Sequence, residues 1–171
     1  MNPDVTYARM ESPVGPVWVA ATGVGVCAIG LGDGQPDRMF EELESRVDEF
    51  VPSQNDVDPL TTALIQLDEY FSTVRQQFDL PLDLHGTTFQ REVWEEVGQV
   101  PYGTTTTYSE VAKRIGRPKA ARAVGAALSA NLVPIVIPCH RVIGVGGKLT
   151  GYRNGIDIKA ALLRMEGVLL S

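Results

Sequence analysis

With 171 residues, 44% of them hydrophobic, the chain has apolar material for one domain or two small ones, and folding buries about 70% of its unfolded surface. No apolar run approaches the roughly 20 residues that span a bilayer, the first residues are polar, and two cysteines cannot build a disulfide framework. The default expectation is therefore a cytoplasmic protein.

The net charge of −6 conceals a division. Residues 1–86 hold 4 Lys and Arg against 15 Asp and Glu, a net −11, whereas residues 87–171 hold 11 against 6, a net +5. Between Val111 and Ile156 there are 8 basic residues and no acidic one, so a phosphate-binding surface can exist on an acidic protein.

In chain order, Thr6–Met10, Val17–Thr22 and Val26–Leu31 are β-type runs separated by Ser-Pro-Val-Gly and Gly-Val-Gly, which predicts an antiparallel meander closed by Gly32-Asp33-Gly34. Met39, Phe40, Leu43, Val47 and Phe50 recur at helical spacing after Pro36, as do Leu60, Leu64, Leu67 and Phe71 after Pro59. Phe78, Leu80, Leu82 and Leu84 alternate as in a strand, and His85-Gly86-Thr87 marks a domain boundary, giving domains 1–86 and 87–171.

In the second half, Thr88 is the expected N-cap of a helix carrying Phe89, Val93, Trp94 and Val97 that ends at Gly98. Thr107 to Glu110 fits a capping box opening a helix that Gly116 stops. Pro118 suits the first turn of a second helix running Lys119–Ala130, so the pair forms a helix-turn-helix. The fold class expected is α+β, a small N-terminal antiparallel sheet with helices followed by a mostly helical, winged-helix-like C-terminal domain. The small residues of the second helix, Ala120, Ala121, Ala123, Gly125, Ala126 and Ala127, offer few hydrogen bonds to base edges but allow close backbone approach. That suits the minor groove of double-stranded DNA better than major-groove readout.

Chemistry concentrates in Pro138-Cys139-His140-Arg141-Val142, reached through the apolar run Val133–Ile137. A buried thiol resists ionisation and needs a proton acceptor. His140 is its chain neighbour, and neighbouring side chains diverge, so a bridging water is expected between them. Glu166, near a helix C-terminus where the helix dipole disfavours a negative charge, needs a compensating partner, and an imidazolium could be that partner. Cys27, Cys139, His85 and His140 have no metal-ligand spacing, so neither a metal nor a cofactor is expected.

The motif does not stand alone. With Lys119-Ala120-Ala121-Arg122-Ala123-Val124-Gly125, Asn131, Gly151-Tyr152 and Glu166, the stretch from Thr88 to Gly167 resembles the O6-alkylguanine-DNA alkyltransferases, also called methylated-DNA-protein-cysteine methyltransferases. The first half matches only in the Ser12–Pro16 turn and in layout, and the resemblance implies a ribonuclease-H-like N-terminal domain there. It implies stoichiometric transfer of an alkyl group from O6-alkylguanine, and from O4-alkylthymine, in flipped-out DNA bases to Cys139, leaving an S-alkylated protein. It further implies a Cys139–water–His140–Glu166 relay steadied by Asn131. Tyr108, Pro134, Val142, Tyr152 and Arg153 would form the base pocket. Arg122 would fill the vacated space in the duplex, and Tyr108, Lys119, Ala123 and Gly125 would lie against DNA. The free protein is expected to be a monomer. Some relatives carry an N-terminal zinc site or a cysteine-rich regulatory domain, and this chain has neither ligand set; Arg153 replaces a residue that is small in several relatives, and Leu132 a common proline. Three rival readings stand beside it: a lesion sensor, which would lack the reactive cysteine; a cysteine hydrolase, which would turn over; and a transcription regulator, which would carry base-reading side chains.

Overall fold

In the computed structural model, residues 4–32, 37–45, 51–53, 58–168 and 170 are described. The chain divides into two compact units, Met1–His85 and Gly86–Ser171.

In the first unit, β1 (Asp4–Met10), β2 (Val17–Ala21) and β3 (Val26–Leu31) form the expected antiparallel meander, with Ala8 opposite Val19 and Val19 opposite Ile29. Its first turn closes with reciprocal backbone bonds between Ser12 and Gly15, whose φ of 96° is readily available only to glycine. One strand had no sequence signal: β4 (Val51–Ser53) pairs parallel to β1, giving the order β3-β2-β1-β4. Helix α1 (Asp37–Glu44) packs on β3 through buried Met39 and Leu43, while α2 (Leu60–Phe71) packs on β1 and β2 through Leu60, Ala63, Leu67 and Tyr70. Asp33, Gly34, Pro36, Val47 and Phe50, read above as part of the closing turn and first helix, lie outside the described residues.

The alternating segment Phe78–Leu84 is not a strand. It makes a single parallel bridge, Val26 to Leu82, with Val26 N donating to Pro81 O and Asp83 N to Val26 O. Pro81 has no N–H to extend a ladder. At Gly25 a Cβ would stand 2.5 Å from the Pro81 backbone, so the absence of a side chain there permits the approach.

In the second unit, α3 (Thr88–Val97) is capped by Thr87 rather than Thr88. The Thr87 hydroxyl accepts from Gln90 N, and the Gln90 side chain accepts from Thr87 N. Burial of Val93, Trp94 and Val97 on one face is worth about 1.5–3 kcal/mol for each large side chain. Trp94 Nε1 also donates to Ala127 O at 2.8 Å. Helix α4 (Tyr108–Arg114) opens with the Thr107 hydroxyl accepting from Glu110 N, but the Glu110 carboxylate pairs with Lys113, so the reciprocal half of the capping box goes elsewhere. Gly116, at φ 77°, ends it.

Helix α5 runs Ala121–Ser129, starting two residues later than expected. Pro118 and Lys119 form a separate turn, closed by Ala120 N donating to Arg117 O. Helices α3, α4 and α5 pack on one another. A two-residue parallel ladder joins β5 (Thr106–Thr107) to β6 (Val142–Ile143), and α6 (Ile156–Met165) follows.

Candidate active site

The run Val133–Ile137 is buried apart from half-buried Val136, and it forms a turn. Ile137 N donates to Val133 O, and Ile135 holds a φ of 73° that is costly for a β-branched residue. Asn131 braces this turn, its Oδ1 accepting from Val133 N at 2.9 Å and its Nδ2 donating to Ile137 O at 3.2 Å. The same Nδ2 donates to Cys139 Sγ at 3.3 Å. The chain then makes one 3₁₀ turn, Cys139–Arg141, with all three side chains buried.

Burial pushes the Cys139 thiol above its ordinary pKa, opposed by hydrogen bonds from Asn131 and Tyr152 and by the charge of Lys159. Burial also holds the His140 imidazole below its ordinary value. Glu166 works against that shift, while Arg141 and Lys159 reinforce it, so at neutral pH the ring is a free base. His140 Nε2 lies 2.7 Å from Glu166 Oε2, and Nδ1, also buried, has no hydrogen-bond partner among the described residues.

Glu166 is the C-cap of α6 and is 4% exposed. Its compensating charge is not an imidazolium but the Arg141 guanidinium. Arg141 donates to Glu166 Oε1 at 2.8 Å and Oε2 at 3.1 Å, donates to Val100 O at 2.8 Å, and lies over the Tyr102 ring. A permanently charged fork supplies what a ring held neutral by burial cannot.

Lys159, 1% exposed, is a second group that sequence reasoning missed. Its Nζ donates to Val142 O at 2.6 Å, Gly151 O at 3.2 Å and Thr150 O at 3.4 Å, and burial lowers its pKa to about 8. The helical period was an available signal, because Lys159 shares the inner face of α6 with Leu162, Leu163 and Glu166.

Cys139 lies in the lining of a cavity of about 260 Å³ that is also bounded by Tyr108, Gly125, Leu128, Ser129, Thr150, Gly151, Tyr152 and Arg153. Tyr108, Gly125, Tyr152 and Arg153 are thus brought to the thiol. Pro134 and Val142, expected in the base pocket, are buried outside that lining, and the Val142 carbonyl accepts from Lys159.

The outer face of α5 presents Arg122, Ala123, Ala126 and Ser129, all exposed, with Lys119 exposed just before it. The basic segment is less available than its composition suggests. Lys113 pairs with Glu110, Arg114 with Glu96, Arg117 with Glu92, and Arg141 with Glu166. The acids come from outside the segment, where counting along it could not find them. Lys119, Arg122 and Lys148 remain without an acidic partner among the described residues. Cys27, the other thiol, is pushed up to about 12 by burial and by Asp83, and is inert as a nucleophile at neutral pH.

Fold and site together define a protein that keeps one partnered, buried cysteine beneath a helix-turn-helix. Comparison with known proteins gives the family. Residues 5–84 match the model described as 6-O-methylguanine DNA methyltransferase, ribonuclease-like domain, and residues 88–168 match its DNA binding domain. A methylated-DNA–protein-cysteine methyltransferase of Methanosarcina acetivorans is 43% identical over 161 residues, covering 94% of this chain and 97% of that protein. A crystal structure of Mycobacterium tuberculosis OGT in complex with DNA superposes with a TM-score of 0.80 at 40% identity, covering 94% and 92% of the two chains. The O6-methylguanine-DNA methyltransferase of the archaeon Pyrococcus kodakaraensis gives 0.74 at 26% identity, covering 96% and 99%. The chain belongs to the methylated-DNA–protein-cysteine methyltransferase family.

Proposed function

We propose that the protein repairs DNA by direct reversal, acting once, as a monomer, with Cys139 as the acceptor of the alkyl group of O6-alkylguanine or O4-alkylthymine. The observation that carries this reading is the buried Nδ1 of His140, left without a hydrogen-bond partner among the described residues while Glu166 holds Nε2. A water at Nδ1, of the kind that joins buried polar groups, links the ring to the neighbouring thiol.

The neutral imidazole takes the thiol proton through that water, and the resulting imidazolium is stabilised by Glu166. Sγ forms a bond to the alkyl carbon as the carbon–oxygen bond breaks. The electron pair of the broken bond passes to the base, which takes up the proton and is restored within the DNA. Asn131 steadies the sulfur and the turn that carries it.

The reacting base is inaccessible inside a duplex and is extruded into the cavity beside Tyr108 and Tyr152. The smooth outer face of α5 lies in the minor groove, with Arg122 in the space the nucleotide leaves. Lys119, Ala123 and Gly125 lie along the same contact. Residues 1–86 and 87–171 act as separate domains, and every residue assigned here belongs to the second, so one copy holds a complete site. Two unpaired cysteines suit a reducing compartment such as the cytoplasm.

Peptide mapping after incubation with duplex DNA containing O6-methylguanine tests the reading. One methyl group is expected on Cys139 and none on Cys27, and Cys139→Ala should abolish transfer. Methylation of Cys27, or repair by Cys139→Ala, overturns it.

A further inference from the structure

The segment that roofs the thiol cavity is fastened on two sides. From inside, buried Lys159 Nζ holds the carbonyls of Thr150 and Gly151, and Tyr108 Oη donates to Thr150 O at 2.9 Å. Beyond that anchorage, Tyr152, Arg153 and Asn154 are flanked by Gly151 and Gly155, at φ 49° and 101°. A Cβ at either glycine would meet nothing within 4 Å, so these glycines answer to backbone conformation rather than to crowding. On the outer side, half-buried Arg153 Nη1 donates to Ser129 O at 2.9 Å. This bond crosses from the roof to the last residue of α5, and both of its ends line the cavity that contains Cys139.

A guanidinium on the final carbonyls of a helix is a favourable cap, but its acceptor is neutral. A phosphate offers the same guanidinium a charged, bidentate acceptor and a stronger bond. We propose that Arg153 is a specificity-determining latch: in the free protein it ties the roof to α5 across the cavity mouth, and the phosphate of the extruded nucleotide draws it off Ser129. Entry of a base is thereby coupled to its attachment to DNA. The inference rests on the reading of Cys139 as an alkyl acceptor and adds to it the means by which the cavity favours a base in a strand over the same base free in solution.

The test compares single-turnover transfer from O6-methylguanine in duplex DNA, from the free base O6-methylguanine and from free O6-benzylguanine, for the wild type, Arg153→Ala and Arg153→Lys, each checked by thermal melting. Methylation of the wild type by the duplex reports on the underlying function, and its failure removes that reading together with this one. Given that reaction, Arg153→Ala should lower the ratio of duplex to free-base rates by about tenfold or more, the factor expected for a hydrogen bond to a charged group. Free-base rates should rise, and the lysine variant should fall between. The salt slope of duplex affinity should also shrink by about 0.9 in Arg153→Ala, the share of one phosphate contact. A rate ratio within twofold of wild type, or an unchanged salt slope, refutes the latch while leaving the transfer function intact.

Discussion

Mild acid should destabilise this protein through one residue, His140. Its folded-state pKa is depressed by burial, Arg141 and Lys159, whereas in the unfolded chain it titrates near 6.5. As pH falls through 6.5 the unfolded chain gains a proton that the folded site refuses, so stability is complete above that value and declines below it. For one proton the slope approaches about 1.4 kcal/mol per pH unit, and the loss between pH 7.5 and 5.5 is about 1.4 kcal/mol while the folded ring stays neutral. For a chain of this size that lowers Tm by about 3–6 °C. Urea unfolding of His85→Gln, in which His140 is the remaining histidine, should show this decline, and His85→Gln/His140→Gln should show a flatter profile over the same range. Parallel profiles would mean that the imidazole is not held neutral, and the site would lack its base.

Three further outcomes follow from the geometry. Glu166→Gln should slow transfer and shift its pH dependence, because the ring loses the carboxylate that favours its protonated form, while DNA affinity measured by fluorescence anisotropy stays near wild type; superimposable rate profiles would make Glu166 a bystander. Affinity for duplex DNA should fall with salt at a log–log slope of about −3.6, the share of Lys119, Arg122, Lys148 and Arg153, rather than the slope near −7 that eight unpaired basic residues would give. A slope near −5.4, read by titration across salt concentrations, would show that Arg114 and Arg117 leave Glu96 and Glu92 for phosphates. Lys159→Met should destabilise the protein by at least about 1–3 kcal/mol, the cost of the orphaned Val142 carbonyl, and should release the cavity roof. Unchanged urea midpoints would contradict that role.

The site was legible where a single segment carries it. Cys139, His140 and Asn131 lie within ten consecutive residues, and the depth of Cys139 follows from the apolar run before it. What escaped depends on contacts that sequence order hides. Arg141 reads as a surface cation until Glu166 returns from 25 residues away, and Arg114 and Arg117 read as free until α3 brings Glu96 and Glu92 beside them. In the fold, the meander and helices followed their periodicities, whereas Val51–Ser53 is too short to show one. Phe78–Leu84 showed a period of two that Pro81 prevents from becoming a ladder.

A residue that serves once is valuable only while it is unspent. Cys139 is buried with its thiol held above the ordinary pKa, and oxidants and stray electrophiles attack the thiolate of an exposed cysteine. The same burial that obliges the site to supply its own base therefore sets the shelf life of the protein. It keeps each molecule reduced and unmarked through the long interval before a lesion arrives, so the stock made by the cell stays close to the number of repairs it can perform.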